Sequence, residues 1–165
     1  MTEDAKTAGP IVLDACCGPR MMWFDKQDPR AVFADSRDLE TVLCDGRVLN
    51  IHPDVRADFR HLPFRDGMFC HVVFDPPHLV RGGDTSWLVQ KYGKLPKDWA
   101  EYLRQGFDEC WRVLKVGGTL VLKWSEVQIR ASELTAALGR VPLYGERMHS
   151  GKTVWLVWVK TEAGA

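Results

Sequence analysis

The chain has 165 residues, 45% of them hydrophobic and 27% charged, which is the composition of one soluble globular domain and excludes disordered and fibrous proteins. Lysine plus arginine number 22, as do aspartate plus glutamate, so no overall positive field exists to hold nucleic acid non-specifically. We expect a single domain over residues 10–160, with flexible termini at residues 1–9 and 161–165.

The first half of the chain alternates short apolar runs with turn residues. Asp45 and Gly46 separate two β-prone runs, 41–44 and 47–50, which predicts an inserted hairpin. A segment of helical composition, 20–28, is expected after the first strand. Apolar runs predict buried strands of a parallel sheet at 10–15, 31–34 and 71–75, and 55–58 is a candidate short strand between the last two.

The second half of the chain predicts helices and an edge strand. Apolar residues at helical spacing predict a helix over 97–115 that ends before Gly117 and Gly118. A strand is predicted at 119–124 and a short helix at 132–138. A final strand is predicted at 154–159, with a partner strand before it at 143–144. The order of elements predicts an α/β fold: a Rossmann-like, doubly wound, mostly parallel sheet with an antiparallel C-terminal edge strand.

The five cysteines show no metal-ligand spacing, so no metal site is expected. The chain opens without a signal segment and contains no apolar stretch of about 18 residues. We therefore expect a reduced, cytoplasmic protein that does not enter a membrane.

Four predicted strands end at or next to an aspartate: Asp14, Asp35, Asp58 and Asp75. Each aspartate alone is also explained as a turn former or a helix cap. Because ligands of doubly wound sheets bind beyond the carboxyl ends of the strands, the four together indicate a ligand site.

The small residues after Asp14 form a turn that a ligand can approach closely, ending at Gly18. Neither the P-loop pattern nor GxGxxG is present, which argues against nucleoside triphosphates and NAD. Asp35 follows the next strand, where a carboxylate can bind the hydroxyl pair of a ribose. The pattern fits a ribosyl cofactor without a pyrophosphate.

Asp75-Pro76-Pro77-His78 is the most informative tetrapeptide. Two prolines fix φ and remove N–H donors just past a buried strand, so the backbone carbonyls there stay free to accept hydrogen bonds. A planar amine at this turn would meet the Asp75 carboxylate and a proline carbonyl, with the His78 ring stacked on the attached group. The alternative is a rigid turn with a capping aspartate.

Taken in order, these motifs resemble class I S-adenosylmethionine-dependent methyltransferases. The matching segments cover most of the chain: VLDACCG at 12–18, Asp35, ADFRHLPF at 57–64, VFDPPH at 73–78 and GGTLVLK at 117–123. Asp75-Pro76-Pro77-His78 is similar to the (Asn/Asp/Ser)-Pro-Pro-aromatic motif of enzymes that methylate the exocyclic amine of adenine or, less often, cytosine. Two departures are Pro19-Arg20 in place of the later glycines of the first motif, and His78 in place of a larger aromatic ring.

The resemblance implies S-adenosylmethionine as the cofactor and a role for each matching position. Asp35 would bind the ribose hydroxyls, and Asp58 with Phe59 the adenine. The residues implied for the methionine part of the cofactor are Asp14, Ala15, Cys16, Cys17 and Gly18. The residues implied for catalysis are Asp75, Pro76, Pro77 and His78, with a direct in-line attack of the amine on the sulfonium methyl group.

A cysteine nucleophile, as in cytosine C5-methylation, is the rival mechanism, with Cys16 or Cys17 as the attacking group. The segment after the tetrapeptide interleaves cations and aromatic rings and is expected to form a substrate lid hinged at Gly82-Gly83. The residues expected to bind substrate there are Arg81, Trp87, Lys91, Tyr92 and Lys94. The alternative is that Trp87 and Trp99 pack in the core and the lysines form a solvated face.

The sequence favours N6 of adenine in DNA or RNA as the methyl acceptor. Two alternatives stay open: a methyltransferase acting on a free adenine nucleotide or another small molecule, and a non-catalytic cofactor-binding subunit. No separate target-recognition domain is evident, so an enzyme acting on DNA would need either a partner subunit or very loose sequence specificity.

Overall fold

The computed structural model describes residues 9–83, 86–147 and 153–161. Its strands are β1 Val12–Asp14, β2 Ala31–Asp35, β3 Leu39–Val42, β4 Val48–Ile51, β5 Val55–Arg56, β6 Phe69–Phe74, β7 Leu114–Ser125, β8 Tyr144–Arg147 and β9 Thr153–Val159. Its helices are α1 Trp87–Tyr92, α2 Trp99–Val113 and α3 Ala131–Leu138. The expected flexible ends fall largely on residues 1–8 and 162–165, outside the described residues, and the domain boundaries stay a prediction.

Seven strands form one sheet in the order β5-β2-β1-β6-β7-β9-β8. The pairs β2/β5, β1/β2, β1/β6 and β6/β7 are parallel, whereas β9 runs antiparallel to both β7 and β8. The predicted fold class is confirmed, including the antiparallel edge. The chain leaves β1 in one direction towards β2 and returns to its other side as β6, so a crevice opens beyond the carboxyl ends of β1 and β6.

The hairpin of β3 and β4, which lies between β2 and β5 in the chain, forms a separate two-stranded sheet. The predicted insertion is therefore confirmed. Gly46 adopts φ 82° in its turn, a conformation that glycine reaches without strain. The buried side of the hairpin consists of Leu43, Leu49 and Ile51, and the Trp87 ring packs against it. The hairpin therefore has its own small core.

The helix predicted at 20–28 is wrong, because the structure has only turns between β1 and β2. Arg20 adopts a left-handed φ of 54°, which ends any helical continuation from Gly18 and Pro19. Its guanidinium donates to the carbonyl oxygens of Lys26 and His52, at 2.6 and 2.8 Å. Long-range bonds replace the helical hydrogen bonds that this composition favours.

Helix α2 is confirmed within two residues of its predicted start and end, and it carries a fully buried stripe against the sheet. Its C-terminal end is held by Lys160, whose ammonium donates to the carbonyl oxygens of Trp111 and Leu114 at 2.6 and 2.8 Å. These bonds explain why β7 begins directly at Leu114, five residues earlier than the sequence predicts.

Gly106 lets α2 approach the sheet closely, and Gly106→Ala is expected to lower the melting temperature. An added Cβ would lie 2.6 Å from Cε2 of Phe59 and 3.1 Å from Cζ of Phe74. Overpacking of this kind costs about 1–3 kcal/mol, against a gain of about 1 kcal/mol in helix propensity. Thermal unfolding should show the loss, whereas Gln105→Ala, on the exposed side of the same helix, should unfold near the wild-type temperature. A stabilised Gly106→Ala variant would contradict this packing.

Candidate active site

Three aspartates meet at the crevice. Asp14 is the last residue of β1 and is fully buried; Asp35 ends β2 and is 3% exposed; Asp75 directly follows β6. The Asp14 carboxylate accepts hydrogen bonds from the indole Nε1 of Trp23 at 2.7 Å and from the amide of Cys16 at 3.4 Å. Burial, reinforced by the charges of Asp75 and Asp35, raises the pKa of Asp14 to about 7, although the Trp23 hydrogen bond opposes the shift.

The small-residue turn after Asp14 is held by bonds to neighbouring strands. The Ala15 amide donates to the carbonyl oxygen of Val73, and the Cys17 amide donates to that of Ala34. Gly18 adopts φ 49° and donates its amide to Oδ2 of Asp35 at 2.9 Å. The turn after β1 therefore lies against residues at the carboxyl ends of β2 and β6.

Asp35 has hydrogen-bond donors from the protein on both oxygens. Besides the Gly18 amide, it accepts from the Arg37 amide at 2.9 Å and from the Arg37 guanidinium at 3.1 and 3.2 Å. The same guanidinium donates to the carbonyl oxygen of Lys91 at 3.2 Å, which ties α1 to the end of β2. Asp35 thus supports the turn and α1 at the same time.

Asp75 is paired with Lys123, whose Nζ lies 2.8 Å from Oδ2. Burial raises the pKa of Asp75, and the Lys123 ammonium opposes that shift. The other oxygen, Oδ1, accepts no hydrogen bond from the described part of the chain. Sequence analysis missed Lys123 as a site residue, although it lies in the GGTLVLK segment. Phe74 of β6 pairs with Leu122 of β7, and this register places the residues that follow them, Asp75 and Lys123, side by side.

His78 lies against Tyr92 and Trp124, with ring centroids 5.3 and 6.4 Å apart. Burial lowers the pKa of His78, so its imidazole is neutral at pH 7. The ring is half-buried, at the end of the tetrapeptide where the sequence predicts an aromatic group.

Two adjoining clefts open beside Asp75, and we call them the first and second clefts. The first, of about 100 Å³, lies between the turn and α1, with Gly18, Met21, Pro76, Lys91 and Lys123 in its wall. The second, of about 160 Å³, is lined by Asp35, Ser36, Phe59, Pro77, Lys94 and Tyr102, among others. Both share Cys16, Arg37, Asp75 and Tyr92. The clefts therefore form one continuous groove across the switch point.

The remaining predicted site residues lie at different places. Asp58 accepts the Arg60 guanidinium at 2.7 Å, a bond that lowers the pKa of Asp58, and it lines neither cleft. Arg81 is exposed, and its backbone exchanges hydrogen bonds with the Gln128 side chain. Trp87 packs on the hairpin, with the Arg47 guanidinium 4.9 Å from its ring centroid. Only Lys91, Tyr92 and Lys94 of the predicted substrate residues reach the clefts.

A larger and more open concavity, of about 830 Å³, lies between the Gly18-Pro19 turn and the hairpin. Its central cation, Arg20, is already paired with Asp54 at 2.9 Å and lies over the Phe33 ring. It contains none of the three strand-end carboxylates, so the smaller clefts hold the chemistry.

The thiols beside Asp14 are poor nucleophiles. Burial raises the pKa of Cys17 to about 12, and burial together with the Asp14 charge raises the pKa of Cys16 well above its usual value. Both thiols therefore stay protonated, which disfavours the cysteine mechanism. Among the described residues, no group of His, Cys, Asp or Glu side chains is arranged to bind a metal, and no helix has the length and apolarity to cross a membrane.

A scan against protein-family models and a search of curated proteins gave no match. Solved structures match over most of the chain. The PH0226 protein of Pyrococcus horikoshii is 16% identical, with 95% of this chain and 84% of that chain covered and a TM-score of 0.55. An S-adenosylmethionine-dependent methyltransferase from Methanosarcina mazei is 12% identical, with 91% and 92% covered and a TM-score of 0.53.

The (4+2)-cyclase SpnF is also similar, at 16% identity, with 87% of this chain and 56% of that chain covered and a TM-score of 0.52. The fold is thus one that S-adenosylmethionine-dependent methyltransferases use. Because a protein named as a cyclase has it too, the reaction must be argued from the site.

Proposed function

We propose that this protein is an S-adenosylmethionine-dependent methyltransferase that acts on an exocyclic amine, with N6 of adenine in DNA or RNA as the acceptor. The observation that carries the proposal is the position of Asp75-Pro76-Pro77. This segment follows β6 and faces the small-residue turn after β1 across the groove. An amine bound there lies beside the place where the fold binds its cofactor.

The donor set of the groove fits S-adenosylmethionine. Arg37 and Lys123 balance the charges of Asp35 and Asp75, so Asp14, whose pKa is about 7, is the strand-end acid left to become negative beside a sulfonium or an ammonium group. Phe59 and Tyr102, with ring centroids 5.1 Å apart, give the second cleft an aromatic wall for the adenine, and Asp35 and Ser36 in the same cleft would bind the ribose hydroxyls. The small residues 15–18 leave room for the methionine part in the first cleft.

Asp75 holds the acceptor amine by its free oxygen. Because Lys123 occupies Oδ2, Oδ1 is left to accept one amine N–H, and the Pro76 carbonyl can accept the other. These two bonds orient the nitrogen lone pair towards the cofactor, which supplies the methyl group. Positioning and exclusion of water then provide most of the rate, since an exocyclic amine needs little help from a base before attack.

Lys123 keeps Asp75 in the form that this role requires. Burial favours the protonated carboxyl, which has one acceptor oxygen fewer, and the adjacent ammonium favours the carboxylate. The neutral ring of His78 lies outside both clefts and packs against Tyr92, which lines both, so His78 acts on the attached base through that ring.

The test is transfer of labelled methyl groups to duplex DNA, single-stranded DNA, RNA and free adenine nucleotides, followed by nucleoside analysis. We expect label in N6-methyladenine from a polymer, and none with Asp75→Ala. Label in free nucleotides alone would replace the polymer by a small-molecule acceptor. Cofactor binding without transfer to any acceptor, also in the presence of copurifying subunits, would support the non-catalytic alternative.

A further inference from the structure

Lys91 is a buried lysine without a charged partner. It is 8% exposed, and its Nζ makes no hydrogen bond or ion pair with any residue that the structure describes. Nζ lies 5.1 Å from the ring centroid of the neighbouring Tyr92. Lysines are almost never buried without a partner, because an unpaired ammonium loses its hydration.

The other cations of the first cleft are already matched. Arg37 is paired with Asp35 at 3.1 Å, and Lys123 is paired with Asp75 at 2.8 Å. Lys91 therefore adds one unmatched positive charge to the cleft wall. A ligand that carries one negative charge at this point would complete the site.

The backbone of Lys91 is fixed over the small-residue turn. The Arg37 guanidinium donates to the carbonyl oxygens of Lys91 and Gln90 at 3.2 and 3.4 Å, and the Gly93 amide donates to that of Val89 at 2.8 Å. The stem of Lys91 therefore starts from a fixed backbone at the wall of the first cleft.

We propose that Lys91 binds the carboxylate of the methionine part of S-adenosylmethionine, an inference that rests on the proposed function. The methionine part is a zwitterion beside a sulfonium, so it needs carboxylates for its cations and one cation for its carboxylate. Lys91 lines the first cleft, and so does Cys16, whose amide donates to the Asp14 carboxylate, so a cation and a carboxylate lie at the same cleft. A phosphate of the acceptor is the competing anion, and the test below distinguishes the two.

The test compares the affinities of S-adenosylmethionine and its decarboxylated analogue by calorimetry. Wild-type protein should bind the complete cofactor about 10- to 100-fold more tightly, as expected for a charged hydrogen bond. Lys91→Met should bind the two ligands almost equally. Lys97→Met, an exposed lysine outside both clefts, is the matched control and should keep the wild-type ratio.

The outcomes separate the two proposals. Wild-type protein that binds neither ligand would overturn the proposed function. Wild-type binding with the same affinity ratio in Lys91→Met would overturn the Lys91 inference alone. If Lys91→Met weakened binding of AMP but not of the cofactor, the ammonium would belong to an acceptor phosphate, which also overturns it.

Folding does not obscure the result. Methionine retains most of the length and the apolar stem of lysine, and the unliganded variant should melt at a higher temperature because it no longer buries an unpaired charge. An unliganded variant that melts lower would indicate that Lys91 has a structural partner and would contradict the inference.

Discussion

Asp75→Ala is expected to abolish methyl transfer while cofactor affinity stays within a few-fold of wild type. The substitution removes Oδ1, the oxygen left free by Lys123 to accept the amine N–H. Loss of one preorganised hydrogen-bonding group in an active site lowers the rate by about 100- to 1000-fold. The measurement is single-turnover transfer to the acceptor that wild-type protein uses, with cofactor affinity determined separately.

Asp75→Asn is the matched variant for this prediction. It retains an acceptor oxygen but loses the charge and the ion pair with Lys123, so its rate should lie between those of wild type and Asp75→Ala. Wild-type turnover in Asp75→Ala would remove Asp75 from the site. Loss of cofactor binding in both variants would instead show that Asp75 serves the cofactor.

The unliganded protein is expected to lose stability through Asp14 as the pH rises from about 4 to about 7. The folded pKa is about 7, against 3.8 for an ordinary aspartate, so the unfolded chain gives up this proton first. The contribution is fully present below the lower value and is lost as pH rises through the higher one. At about 1.4 kcal/mol for each pH unit between them, the loss reaches about 4 kcal/mol above pH 7.

Asp14→Asn isolates this effect. Hydrogen bonds to arginines lower the pKa of other carboxyls, including Asp58 and Glu109, and these groups add stability as the pH rises. The informative quantity is therefore the difference between wild type and Asp14→Asn in the free energy of unfolding, measured with urea at several pH values. That difference should change by several kcal/mol, whereas Asp25→Asn, at an exposed position, should follow wild type. Parallel curves for wild type and Asp14→Asn would show that Asp14 is ionised in the folded protein.

The same linkage predicts how the cofactor acts on Asp14. A bound sulfonium or ammonium favours the carboxylate, so cofactor binding near pH 7 should release a proton. The raised pKa of Asp14 is therefore expected in the unliganded protein and not in the complex with the cofactor.

The local pattern of the sequence predicts the central strands, the hairpin and helix α2. Apolar runs without alternation predict β1, β2, β6 and β7 because strands covered on both faces exclude polar residues. The Asp45-Gly46 pair predicts the hairpin because its turn requires positive φ, and helical spacing predicts α2. Asp14, Asp35 and the tetrapeptide lie where strand order predicts, since the carboxyl ends of parallel strands share one edge, whereas Asp58 lies beyond the end of β5 and outside both clefts.

Only the tertiary structure shows which side chains contact the site aspartates and which side chains line the clefts. Trp23 donates to Asp14 across a segment whose composition favours a helix, and the long-range bonds of Arg20 outweigh that local preference. Lys123 reaches Asp75 through the register of β6 and β7, and Lys91 enters the first cleft because Arg37 holds α1 there. Such contacts join residues far apart in the chain, and their energies depend on burial and distance, which no local spacing encodes.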